Sequence, residues 1–284
     1  MLKKILFCGA GAGLLLAAGQ AALAAGDYDF GWEMRHPSWS FKGLSGTFDP
    51  AAARRGYQVY REVCSACHQM EQIAFRHLGD PGAPFFYEAY PNPNDNPYVK
   101  AIAADWTVED IDSETGDVIE RPAIPADEFP DIYPNDAAAR ASNGGALPPD
   151  LSVITKARTD GVDYVYNLLI AYDAPKPNDV ELTPGLHWNP VMEDGKIAMA
   201  KPLSDGIIEY PTAEVEGEDG VVTNVQVEAT VDQMARDVTH FLAWSADPKL
   251  EERKRAGFAV MVYLTLLTLL FYLSYKRVWR NVDH

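Results

Sequence analysis

Cysteine is scarce in this chain: three among 284 residues, at Cys8, Cys64 and Cys67. That number excludes a disulfide-stapled scaffold and a thiolate zinc site of the usual four ligands. Positive charge is also short, with 24 Lys and Arg against 41 Asp and Glu, a formal net charge of −17. A surface so acidic argues against nucleic acid as a partner; it suits either plain solubility or the docking of a basic protein. Long apolar runs are confined to the two ends. Between them the chain, 47% apolar overall, has enough hydrophobic residues for a real core in one or two domains.

The first apolar run has the order of a secretory signal. Lys3 and Lys4 precede an apolar stretch from Ile5 to Ala18, and Ala22-Leu23-Ala24 forms an A-x-A cleavage site, so residues 1–25 are expected to be removed. Removal takes two lysines, giving −17 − 2 = −19, and takes Cys8, leaving Cys64 and Cys67 alone. The second run, Ala256 to Tyr275, is twenty residues without a charge. It amounts to about 30 Å of helix, sufficient to span a bilayer. A charged collar, Glu251 to Arg255, precedes it; Lys276, Arg277 and Arg280 follow, with Tyr272, Tyr275 and Trp279 as interfacial residues. The expected organisation is a leader (1–25), an exported domain (26–250) and a C-terminal anchor (251–284, span about 256–275). With export set by the leader, the domain belongs on the periplasmic side of a bacterial inner membrane.

The chemistry is concentrated in Cys64-Ser65-Ala66-Cys67-His68. C-x-x-C-H is the attachment pattern of a c-type haem: two thiols add to the two vinyl groups and the next imidazole reaches the iron. A thioredoxin-like redox pair would require a βαβ pattern, which the surroundings lack. The motif ends a helical pattern that starts at Asp49-Pro50, an N-cap followed by a proline suited to the first turn. Ala53, Gly56, Tyr57, Tyr60, Val63, Cys64 and Cys67 then recur at helical spacing, and Cys64, Cys67 and His68 are expected on one face of that helix. Gly56 costs about 1 kcal/mol relative to Ala in mid-helix, so close packing of a second helix is expected there.

The rest is less regular. Gly26 to Thr47 reads as an extended wrapping segment. Met70 to Asp150 reads as loops, with acidic residues crowded between Asp105 and Asp136, either as a solvated, mobile insertion or as a docking surface. The turn-rich Asn143 to Ser152 segment, which includes Pro149, has the glycines and prolines to lie against a flat ligand. A helix is expected from about Asp160 to Tyr172 with Tyr164, Leu168 and Tyr172 along one side. Arg158 before it is either a partner for a haem propionate or a surface residue. Val221 to Val227 suggests a hairpin arm. Thr230-Val231-Asp232-Gln233 has capping-box spacing and opens a helix that stops near Asp247-Pro248. Two crossing terminal helices with haem between flanking loops make a class I cytochrome c-like plan, a mainly α domain with long loop insertions and one C-terminal transmembrane helix.

A second axial ligand is left open by the residues alone among Met34, Met70, Met192, Met199, Met234, His36, His77, His187 and His240. Met70 and His77 lie too near His68 to reach the other haem face. Met199 sits in a short apolar loop before Pro202, and thioether ligation raises the potential above that of a bis-histidine haem. An open sixth site would instead indicate a peroxidase or gas sensor. A free-standing tethered cytochrome is a third possibility, although such proteins are usually tethered at the N-terminus.

The order of these features resembles cytochrome c1 of the alphaproteobacterial ubiquinol–cytochrome c reductase, the bc1 complex. The likeness is carried by Glu62 to His68, Asn143 to Ser152, Lys156-Ala157-Arg158, Asp163 to Tyr166, Ile197 to Leu203, Asp237-Val238 with Phe241 to Trp244, and Lys254 to Phe258. The resemblance implies one covalent haem c on Cys64 and Cys67, with His68 and Met199 as iron ligands. It implies Arg158 at the propionates and a pocket lined by the run containing Pro149, with Tyr164 on the helix beyond. It also implies an electron-transfer subunit working with cytochrome b, a Rieske iron–sulfur protein and a c-type cytochrome acceptor in a dimeric, lipid-embedded complex. Ala200-Lys201 stands where relatives often carry two prolines, a departure that puts a charge near the haem loop and leaves Pro202 to stiffen it.

Overall fold

The computed structural model describes residues 30–216 and 222–281; the expected leader lies outside them. Among the described residues, six α-helices and three small antiparallel strand pairs are joined by long connections and short 3-10 turns. In chain order they are α1 (Pro50–Glu62), α2 (Pro97–Ala104), the pair β1 (Thr107–Ile111) and β2 (Val118–Pro122), and α3 (Asp136–Ser142). Then come α4 (Val162–Ile170), the pair β3 (His187–Trp188) and β4 (Lys196–Ile197), and the pair β5 (Ala213–Glu216) and β6 (Val222–Val225). The last two are α5 (Val231–Ala246) and α6 (Leu250–Val278). The architecture is mainly helical, as expected, with each β pair an isolated antiparallel ladder.

The organising contact is the crossing of α1 and α5. Asp49 caps α1 by accepting from Ala51 N at 2.9 Å, and Pro50 opens the first turn. Gly56 faces α5 so closely that a Cβ would lie 2.6 Å from the Asp237 carbonyl carbon and 2.7 Å from Phe241 Cβ. The expectation drawn from that glycine therefore holds. Beside it, Asp237, 1% exposed, accepts from Arg55 Nε and Nη2, both at 2.8 Å. Gln233 Nε2 adds a third bond at 2.9 Å. A buried carboxylate is costly unless its lone pairs are filled, and this demand alters the cap of α5. Thr230 accepts from Gln233 N at 3.2 Å as expected, but the Gln233 side chain turns to Asp237 and does not close a reciprocal box.

Rings fill the space around the crossing. Phe241 meets Tyr57, Tyr60 and Trp244 at 5.6–5.8 Å, and Phe129 stacks on Phe75 at 4.3 Å and meets Trp106 at 5.5 Å. Phe75, Trp106 and Phe129 come from the stretch read as loops, so its aromatic residues nail it to the core. That stretch is also more structured than expected. The β1–β2 hairpin occupies much of the acidic segment, in the register Ile111↔Val118, and α2 begins at an Asn96 cap. Some acids there are structural. Arg121 is held between Asp110 and Asp127 at 2.5 and 2.6 Å, and Asp112 accepts from Glu114 N and Thr115 N in the turn.

α4 packs on α5, and the segment before α1 wraps α4. Asn167 joins Trp32 and Arg35, while the buried Asp163 accepts from Trp39 Nε1 and Lys42 Nζ and meets His36. α6 is tied to the domain only at its first turns, is exposed beyond them, and is long and apolar enough to cross a membrane.

Candidate haem site

α1 ends sooner than expected. Its last turn closes at Val63, whose N–H bonds Val59 O at 3.0 Å, and Cys64–Ala66 continue as a 3-10 turn. Ser65 Oγ bonds back to Arg61 O at 2.7 Å and helps tighten it. The expectation of a single helix face is thus replaced by a tighter geometry. Cys67 follows as the cap of that turn, with its N–H bonded to Cys64 O at 3.1 Å. His68 N still reaches Cys64 O at 2.9 Å, so both cysteines and the histidine belong to one turn. Both thiols are free. Burial, with Cys67 alongside, pushes the Cys64 thiol up to about 12, so it is held protonated.

The histidine is oriented by the turn-rich segment. His68 Nδ1 lies 2.8 Å from Pro149 O. A carbonyl can only accept, so the proton is on Nδ1 and Nε2 keeps its lone pair for a metal. Burial holds the His68 pKa below its ordinary value, favouring the neutral ring. Three further bonds zip the same strands together: Leu151 N to Gln69 O at 2.9 Å, Glu71 N to Asp150 Oδ2 at 2.8 Å, and Gln72 N to Ser152 Oγ at 3.1 Å. The far side of this segment rests on α5, where Ser245 Oγ donates to Ser152 O and Thr155 Oγ1 to Leu242 O.

A second group of residues gathers on α4. Val165, Tyr166, Asn167 and Leu169 are buried, whereas Tyr164, Leu168 and Tyr172, four apart, remain half-covered. Each is tied to the chain beyond: Tyr164 Oη to Met192 Sδ at 3.5 Å, Asn189 Nδ2 to Leu168 O at 2.8 Å, and Tyr172 Oη to Met199 O at 2.9 Å. Lys201 Nζ pairs with Asp173 at 2.5 and 2.7 Å. The Met199 segment is therefore gripped by the Ala171–Asp173 turn. Arg158 is exposed, bonds Ala157 O at 3.1 Å and faces the Tyr164 hydroxyl, whose pKa burial raises and the guanidinium opposes.

The structure thus joins Cys64, Cys67, His68 and Pro149 in one cluster, Arg158 and Tyr164 in a second, and Met199 with Tyr172 in a third. Met34, Met70 and Met234 are buried in the protein interior, His77 accepts from Ala74 N, His240 accepts from Asp49 N, and His36 lies on Asp163. A pair of free thiols on one turn beside an imidazole with its tautomer set is a donor set that fits haem c.

A family model described as Cytochrome C1 family matches residues 39–282. The chain belongs to the cytochrome c1 family. Among its relatives, cytochrome c1-2 of Solanum tuberosum, named a mitochondrial heme protein, is 42% identical over 94% of each chain. Cytochrome c1 of Rhodospirillum rubrum is 36% identical over 96% of each. A Bradyrhizobium diazoefficiens protein named cytochrome b/c1 is 41% identical over 86% of this chain, which spans 35% of that longer relative. Within the cytochrome c1 frame, Asp173 and Asn189 are supporting residues that sequence reasoning missed, whereas Tyr172, already expected on one side of this helix, proves to hold the Met199 carbonyl.

Proposed function

We propose that this cytochrome c1 family member is the haem-carrying, membrane-anchored subunit of a bc1-type ubiquinol–cytochrome c reductase. It takes one electron from a Rieske iron–sulfur protein and gives it to a c-type cytochrome. Bound haem would supply an iron that changes charge by one electron with no bond to substrate made or broken. Cys64 and Cys67 would hold it covalently, and His68 through Nε2 and Met199 through its thioether would ligate the iron. The observation that carries this is the His68–Pro149 bond, because it fixes which nitrogen is available beside two free thiols. With Met199 as second ligand, its backbone held by Tyr172, no iron position would be left open to small molecules, unlike peroxidase or gas-sensing chemistry. Arg158, with Tyr164 beside it, would meet a propionate.

Three residues from His68, Glu71 has its pKa raised, first by burial and then by Asp131, Asp150, Asp136 and Glu128. Acids from separate segments thus converge beside the motif, and that patch steers a basic cytochrome toward the exposed Cys67 edge. α6 anchors the 26–250 domain on the periplasmic side of a bacterial inner membrane after loss of residues 1–25, next to cytochrome b in a dimeric complex. A redox titration of wild type beside Met199→Leu tests the assignment. The variant should lose the near-infrared methionine-to-iron band and fall in potential; retention of both would remove Met199 from the site.

A further inference from the structure

Residues Phe41 to Phe48 form a short loop beside the first turns of α6. Its stems are buried: the Phe41 and Phe48 rings lie 5.0 Å apart and each meets His240 of α5 edge-on. Its tip is not. Leu44 follows Gly43, whose φ of +81° turns the chain, and is 93% exposed, more than any other large apolar side chain among the described residues. A single exposed leucine carries no meaning by itself. The meaning comes from where this one is tied.

Lys254 Nζ donates to both Phe41 O and Gly46 O, at 2.6 and 2.8 Å, and so closes the loop like a pin. Phe48 N donates to Glu251 Oε1 at 2.9 Å. Both partners are on α6, and Lys254 stands two residues before the charge-free run that begins at Ala256. At 1.5 Å per residue, that run starts about 3 Å further along the axis. The loop is therefore held at the level where the helix changes from charged to apolar. The exit of α6 is braced as well, since Asp247 pairs with Arg253 and with Lys156.

We propose that the Leu44 loop is a second membrane contact, in which Leu44 enters the interfacial layer of the bilayer beside α6 and the partner is lipid. The proposal rests on the reading of α6 as a membrane span. Together, helix and loop fix the tilt of the haem domain over the bilayer, which a single helix would leave free to swing.

The test uses the haem-loaded complex in phosphatidylcholine–phosphatidylglycerol nanodiscs, with the haem reduced. A nitroxide is placed in turn on Leu44→Cys, on Leu264→Cys within α6, and on Ile111→Cys at the tip of the β1–β2 hairpin, where the native residue is 67% exposed. Accessibility to oxygen, which prefers lipid, is compared with accessibility to a water-soluble nickel chelate. The oxygen-to-nickel ratio at position 44 is expected to be several-fold above that at 111 and below that at 264. A ratio at 44 equal to that at 111, with 264 lipid-like, overturns the proposal and leaves the anchor intact. A water-like 264 overturns both. Shielding of 44 from both reagents means burial by protein and overturns the lipid assignment. Should the Leu44 variant fail to fold, Ser45→Cys reads the same loop with the same outcomes.

Discussion

The α1–α5 crossing makes a sharp prediction at Gly56. Replacement by alanine removes a mid-helix glycine and should stabilise an isolated helix by about 1 kcal/mol. In the folded protein the new methyl would lie 2.6 Å from the Asp237 carbonyl carbon and 2.7 Å from Phe241 Cβ, and nearer still to the carbonyl oxygen. Ordinary carbon–carbon contact is about 3.5–4.0 Å, so the helices must part by about 1 Å. Neither obstacle is the free end of a side chain, and parting them loosens Tyr57, Tyr60 and Phe241 together. Overpacking of this kind costs about 1–3 kcal/mol, or more where backbone must move. We expect a net loss of about 2 kcal/mol, a fall in Tm of about 4–8 °C for a domain of this size. Thermal unfolding of the haem-loaded protein, followed by circular dichroism and the haem band, measures it. A variant as stable as wild type, or more stable by the helix-propensity increment, would refute the crossing.

Other residues carry further tests. His240, buried, accepts from Asp49 N, and burial lowers its pKa from 6.5 to about 4. The unfolded chain therefore binds more protons between those values, so stability is full above pH 6.5 and declines toward pH 4 by about 3 kcal/mol; denaturant midpoints across that window should flatten in His240→Gln. Lys201→Ala and Asp173→Asn break an exposed pair and should change stability by less than about 1 kcal/mol. They should nevertheless speed displacement of Met199 by added imidazole, and unchanged exchange rates would dismiss the clamp. Electron delivery to a basic cytochrome should slow with rising ionic strength and more steeply in wild type than in Glu71→Lys; indifference to salt would exclude the acidic patch.

Much of this molecule is legible in its sequence because the strongest signals are local. Asp49 and Thr230 announce helix starts, Gly56 announces a crossing, and the twenty uncharged residues of α6 need no context. Cys64, Cys67 and His68 are contiguous, so their gathering in one turn of chain is likewise local. The failures have a different origin. α2 has eight residues and only Asn96-Pro97 to mark it. The β1–β2 hairpin hides in an acidic segment because Arg121, by pairing with Asp110 and Asp127, neutralises charge that otherwise reads as solvated loop. Pro149 meets His68 through its backbone carbonyl, which no side chain advertises. Tyr172 and Asp173 meet Met199 and Lys201 across more than 25 residues of chain, a separation that periodicity cannot see.

The account depends most on covalent haem at one turn of chain. Acid–acetone extraction of the purified protein, followed by protease digestion and mass spectrometry, tests that directly. Haem should stay with the protein and appear on a peptide containing both Cys64 and Cys67, each linked to it. Haem released into the organic phase, with both thiols recovered free, would contradict the account.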